Sequence, residues 1–190
     1  RVPATLEQFL SLLRDRHAQV MSARPDKRPG EFKQELNRAG MTEFVAPDLV
    51  QGTLASGLEM MRALDDPFHR AVFMMFLVSE VHPFVDGNGR VARIMMNAEL
   101  VSAGEQRIVV PTVFRNNYLA ALRALTRSGR PEPLIRSLDF AQRYTLRISW
   151  ETVERTQRYL ERTNAFYDAD EAENSGIRLT MPGSDTLEIT

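Results

Sequence analysis

Between Ala71 and Val78 the chain reads Ala-Val-Phe-Met-Met-Phe-Leu-Val, with no polar face at any helical phase. A helix that is apolar all round is stable only where other elements surround it. The run therefore predicts a central helix over residues 67 to 81. Asp65-Asp66-Pro67 opens it, and it closes before His82-Pro83 because the residue ahead of a proline avoids helical geometry.

The other apolar patterns read as helices laid around that hub. Leu6, Phe9, Leu10, Leu13, His17 and Val20 share helical spacing within residues 4 to 22, and His17 on such a face reads as structural. Leu49, Leu54, Leu58, Met61 and Leu64 continue the pattern after Pro47-Asp48, with His69 beyond them also structural. After Gly89 the stripe is Val91, Ile94, Met95, Ala98 and Val101, stopped by Gly104. Ile108 to Pro111 is a connector, and further helices are expected at 114 to 127, 131 to 146 and 147 to 165. Trp150, Tyr159 and Phe166 form an apolar seam on the last. Asp168, Asp170, Glu171 and Glu173 read as a solvated linker, and residues 176 to 190 as a small hairpin or a disordered tail. The expectation is a single all-α domain: a core over 1 to 146, a packed helix over 147 to 166, and linker and tail over 167 to 190.

Composition narrows the function. With 24 basic and 25 acidic residues and a formal charge of -1, nothing suggests a nucleic-acid surface. The absence of cysteine removes disulfides, thiol nucleophiles and zinc-thiolate sites, and fits a reducing compartment. No apolar run approaches the roughly 20 residues needed to span a bilayer, and no signal peptide is visible, so no membrane partner and a cytoplasmic location are expected. The first residue is Arg, so the sequence reads as a fragment with something missing before it.

The chemistry is concentrated just after the hub. His82 to Arg93 reads His-Pro-Phe-Val-Asp-Gly-Asn-Gly-Arg-Val-Ala-Arg: a base, a carboxylate, two glycines around an asparagine, and two arginines. At a helix start such a set suits a phosphate, which bare N–H groups and the positive dipole end attract, and a carboxylate can hold a hard cation. A hairpin turn at Asp-Gly or Asn-Gly competes, but the downstream period is 3.6 and not 2. Gly87-x-Gly89-x-x-Ala92, with Glu105 near the ribose-binding offset, also matches the dinucleotide fingerprint. That motif must follow a strand in a βαβ unit, and here it follows a helix and a His-Pro break.

Those twelve residues resemble the signature of the Fic family, His-Pro-Phe-x-(Asp or Glu)-Gly-Asn-Gly-Arg-x-x-Arg, and every fixed position is filled. Arg28-Pro29-Gly30-Glu31-Phe32-Lys33 resembles the segment leading into the family's flap, with Lys where Arg is more usual; Thr42 to Pro47 resembles the stretch just beyond that flap. The resemblance covers about residues 14 to 145. It implies a Fic-type helical bundle with a small β-hairpin flap, of which Glu31 to Asn37 is expected to be one arm, docking the target protein as an added strand.

The implied activity is transfer of AMP from ATP to a Ser, Thr or Tyr hydroxyl. His82 would be the general base, with an ordinary pKa of about 6.5. Asp86 would hold Mg²⁺, Gly87 to Gly89 would let phosphate approach, and the Asn88 amide would donate to it. Arg90 and Arg93 would grip the β- and γ-phosphates. Phe84 is expected to anchor the loop in the core. Gly89 stands where a phosphorylating branch of the family carries Lys. By position Tyr118 and Leu119 are candidates to pack on adenine, with Tyr118 equally readable as core. Alternatives are transfer of another phosphate-containing group, AMP removal, or a nucleotide-binding regulatory module without turnover.

Fic relatives are commonly restrained by a helix bearing Ser or Thr, three residues, Glu, then Gly or Asn, whose Glu pairs with the arginine matching Arg93. Here the one Glu followed by Gly or Asn is Glu173, and four positions before it stands Ala169. The inhibitory helix is therefore expected before Arg1 or on an antitoxin-like partner, and a homodimer stays open.

Overall fold

The computed structural model describes Pro3 and residues 5–183, and the chain divides after Glu105 into two compact units. The first contains four helices and a two-stranded hairpin. Helix α1 (Leu6–Val20) starts where Thr5 accepts the Gln8 N–H at 3.2 Å. α2 (Val50–Arg62) comes after a 3₁₀ turn at Pro47–Leu49. α3 (Pro67–Val81) begins at Asp66, whose side chain accepts the His69 N–H, with Pro67 at the first helical position as the missing donor there allows. α4 (Asn88–Ser102) completes the set.

The hub is as expected: α3 buries Ala71, Val72, Met74, Met75, Leu77 and Val78 and packs against α2 on one side and α4 on the other, while α1 covers α4. Gly57 lets α2 come this close, since a Cβ there would run into Leu77 of α3.

Two expectations in this unit are corrected. The hairpin does not include Glu31 to Asn37: its strands are β1 (Arg38–Ala39) and β2 (Thr42–Glu43), antiparallel, pairing Arg38 with Glu43. Gly40, at φ +59, supplies the positive φ that a two-residue turn needs at its first central position. Residues 31 to 37 form an irregular arm held by other bonds. On α4, Ile94 and Val101 are exposed, and the buried face carries Asn88, Val91, Ala92, Met95, Met96, Glu99 and Leu100. Two polar residues thus sit on the inner face, which rotates it away from the apolar stripe.

The second unit holds α5 (Arg115–Ser128), stopped by Gly129 at φ +62, then α6 (Glu132–Arg147), α7 (Val153–Arg162) and α8 (Ala169–Ser175). Tyr144, Ile148, Tyr159 and Ala165 form a core cluster, and the Tyr144 and Thr163 hydroxyls bond at 2.6 Å. The boundary drawn at 146 falls in the last turn of α6, within this unit.

Helix α7 starts later than residue 147 because Thr152, extended, caps it through the Arg155 N–H at 3.1 Å. Of the expected seam only Tyr159 is buried; Trp150 and Phe166 are exposed. The acidic run is not a linker: Asp168 caps α8 by accepting from Asp170 and Glu171 N–H, Asp170 and Glu171 suit the positive helix end, and Asn116 donates to Asp170 and Glu173. Of the expected hairpin or tail, residues 184–190 lie outside the described residues, and 176–183 form neither helix nor strand. Among the described residues no helix is long and apolar enough to cross a membrane.

Candidate functional site

The site is the connection between α3 and α4. At the end of α3, His82 takes the left-handed conformation, φ 49 and ψ 56, and its N–H reaches the Val78 carbonyl at 3.1 Å. His82 Nδ1 lies 3.1 Å from the Ser79 carbonyl, which can only accept. Nδ1 therefore carries the proton and Nε2 keeps a free lone pair. Phe44, just past β2, stacks on the imidazole at 3.7 Å and 8°. Burial is the largest influence on the ring and holds its pKa below the usual imidazole value; the Lys33 ammonium adds to this, while the Ser79 carbonyl and Asp86 oppose it.

Phe84 roots the loop, fully buried, stacked on the His17 ring at 3.6 Å and 1°. Asn88 closes the loop over it: Asn88 Oδ1 accepts the Phe84 N–H at 2.9 Å and Nδ2 donates to the Phe84 carbonyl at 2.8 Å. The Asn88 amide, expected on a phosphate, is committed here to the loop. His17 supports the next residues, since Gly30 N–H donates to Nδ1 at 2.9 Å and leaves Nε2–H to donate to the Asp86 carbonyl at 2.9 Å. Gly87 stands at φ +76, and a Cβ there would lie 2.7 Å from Met21 Sδ, so both backbone and space demand glycine.

Gly87 has no side chain to cap α4. The N–H of Arg90 and of Val91 return to the Gly87 carbonyl at 3.0 Å, and among the described residues those of Asn88 and Gly89 have no acceptor. Two bare N–H groups at the start of a fifteen-residue helix, at the positive end of its dipole, could receive an anion. The guanidiniums flank it. Arg93 Nη1 lies 3.7 Å from where a Gly89 Cβ would stand, and Arg90 Nη2 lies 3.0 Å from Met21 Sδ and 3.9 Å from Asp86 Oδ2.

Asp86 Oδ1 accepts the Gly87 N–H at 2.6 Å, and Oδ2 has only the loose contact with Arg90. Among the described residues no three His, Cys, Asp or Glu side chains group as a metal cage. One half-exposed carboxylate is instead a donor that a Mg²⁺ shared with phosphate oxygens and water could use.

Seven of the eight expected site residues, His82, Asp86, Gly87, Asn88, Gly89, Arg90 and Arg93, thus stand together in the first unit. Tyr118 is in the second, buried on α5 at 4% exposure. The sequence reading missed Lys33 and Asn37, whose side chains reach the motif loop, and saw in His17 no link to Asp86. The Lys33 departure from the family's usual Arg was the one available signal.

A family model described as the Fic/DOC family matches residues 7–100. The protein adenylyltransferase fic-1 of Caenorhabditis briggsae is 28% identical over 124 residues, which are 63% of this chain and 24% of that protein. Among solved structures, Fic-1 from C. elegans has a TM-score of 0.59 at 23% identity, over 82% of this chain and 44% of the other. BepC from Bartonella tribocorum, solved with bound AMPPNP, has a TM-score of 0.53 at 15% identity, over 70% and 72%. This chain spans about a quarter of the curated relative, at 24%, and the structural likenesses speak to the fold alone.

Proposed function

The chain belongs to the Fic/DOC family, which its residues 7–100 match, and from that membership we propose that it transfers AMP from ATP to a Ser, Thr or Tyr hydroxyl of a protein. The observation that carries the reading is the pairing of a tautomer-fixed imidazole with an uncapped helix start. The Nε2 of His82 has a free lone pair within one short loop of the bare N–H groups of α4.

The target hydroxyl oxygen attacks the α-phosphorus and its proton passes to His82 Nε2. The bond from that phosphorus to the bridging oxygen breaks, pyrophosphate leaves, and AMP remains on the target. Because burial keeps the imidazole neutral, the base form persists below the usual histidine range. The N–H groups of Asn88 and Gly89, with Arg90 and Arg93, hold the phosphates and stabilise charge as it shifts toward the leaving group. Asp86 would hold Mg²⁺, which supplies charge neutralisation to the phosphates.

Target docking along the β1–β2 edge, a homodimer, and restraint by an inhibitory helix or antitoxin-like partner extend the same proposal.

The test is to incubate the chain with ATP labelled at the α- or the γ-phosphate, beside His82→Ala. Expected is α-label on the chain or a target, abolished in His82→Ala, whose ATP·Mg²⁺ affinity by calorimetry stays within about threefold because no phosphate contact is removed. Label from the γ-position would make the reaction phosphoryl transfer. ATP binding without label would leave a nucleotide-binding module.

A further inference from the structure

The loop that carries the base is held from outside by two residues. Four successive carbonyls, from Val81 to Phe84, each meet a donor from the arm between residues 33 and 37. Lys33 Nζ donates to the Val81 carbonyl at 3.3 Å and Lys33 N–H to the Pro83 carbonyl at 2.8 Å. Asn37 Nδ2 donates to the Phe84 carbonyl at 2.9 Å and lies 3.4 Å from that of His82. Lys33 Nζ also donates to Asn37 Oδ1 at 2.6 Å, so the pair is one unit.

His82 sits between these bonds in a left-handed conformation that few non-glycine residues adopt, though histidine does so more readily than most, and such a conformation persists where its surroundings over-determine it. Lys33 is 4% exposed, and among the described residues no carboxylate pairs with it; its Nζ bonds only to neutral oxygens. An unpaired buried cation is costly, and its position at the C-terminal end of α3, where the helix dipole is negative, supplies partial compensation.

We propose that Lys33 and Asn37 are positioning residues for His82, holding the loop backbone so that the imidazole lies where the target hydroxyl must arrive. The inference rests on the adenylyl-transfer reading for its kinetic consequence but not for its geometry. The arm runs directly into β1, and the Phe44 N–H closes onto the Asn37 carbonyl at 3.2 Å before its ring stacks on His82. The hairpin and the base are therefore joined through Asn37 from both sides. The charged groups bearing on the imidazole are Lys33 and Asp86, with opposite effects.

The experiment compares Lys33→Met, Lys33→Arg and Asn37→Ala in the whole chain, by steady-state kinetics and by NMR titration of the His82 ring, one of only three histidines. Expected for Lys33→Met is a kcat lower by about 10 to 100-fold with KM for ATP within about twofold, since a displacement near 1 Å costs on that order and the phosphate contacts are intact. The His82 titration moves to higher pH as the neighbouring positive charge goes. Lys33→Arg restores most of the kcat and the titration, and Asn37→Ala lowers kcat with a smaller change in titration.

A Lys33→Met chain with kcat within twofold of the parent, or with an unmoved His82 titration, overturns the proposal. If the parent shows no transfer, the adenylyl-transfer reading fails and the NMR comparison alone decides the positioning claim. If Lys33→Met does not fold, Lys33→Arg and Asn37→Ala decide it by the same readouts.

Discussion

Replacing Asn88 with alanine separates two uses of one amide. In the folded chain that amide makes both of its bonds to the backbone of Phe84, at 2.9 and 2.8 Å, in a position 2% exposed. Alanine removes both. The Phe84 carbonyl keeps its bond from Asn37, so its loss is limited to one net hydrogen bond, about 1 kcal/mol. The Phe84 N–H is left buried with no acceptor, which costs about 1 to 3 kcal/mol. The sum is roughly 2 to 4 kcal/mol, or a fall in melting temperature of roughly 4 to 16 °C for a chain of this size. Denaturant unfolding and a thermal melt measure it directly, with ATP calorimetry on the folded variant alongside. An unchanged melting temperature together with a large loss of ATP affinity would refute the reasoning, because the amide would then serve the phosphate and not the loop.

Asp86→Ala is expected to weaken nucleotide binding with Mg²⁺ by more than it does without Mg²⁺, and equal losses in the two titrations would remove Asp86 from the metal site. A pH effect on stability arises from His17 and His82, whose folded pKa values burial holds below the usual range. Below about pH 6.5 the unfolded chain binds more protons than the folded one at these groups, so their contribution is full above that pH and is lost as pH falls toward the depressed folded values. Denaturant midpoints at pH 8 and 5.5 should show a drop that shrinks in His17→Gln, whereas a flat profile in the parent chain would contradict the burial argument.

The hub of the fold was legible because one physical condition specifies it. A run without a polar face has to be central, and Asp66-Pro67 and His82-Pro83 are strong local stops, so the limits of α3 came out to the residue. The inner face of α4 was not legible, because Asn88 and Glu99 are buried for reasons outside the helix and apolar periodicity cannot see them. The hairpin was misplaced because its turn rests on Gly40 alone, between short polar strands that carry no alternation. In α8 the cap at Asp168 was present in the sequence but hidden in a charge run, which composition assigns to solvent.

The site divides the same way. His82 to Arg93 is contiguous, so one pass finds it. Lys33 and Asn37 act on carbonyls 45 or more positions away, through bonds that no local pattern announces. Asn88 lay inside the motif, but the two bonds its side-chain amide makes to the Phe84 backbone follow from the folded loop and not from any sequence pattern.

The contact between Gly57 and Leu77 ties two positions into a single volume. A methyl added at 57 runs into the Leu77 side chain where it now stands, so position 57 can grow only if position 77 shifts or shrinks. Growth at 57 with leucine kept in place at 77 would push α2 off α3, and α3 is the helix whose last turn leads into His82. A constraint on the helix that leads into His82 would then fall on a glycine outside the motif loop, and a library that varies position 57 with leucine fixed at 77 would under-report what 57 tolerates.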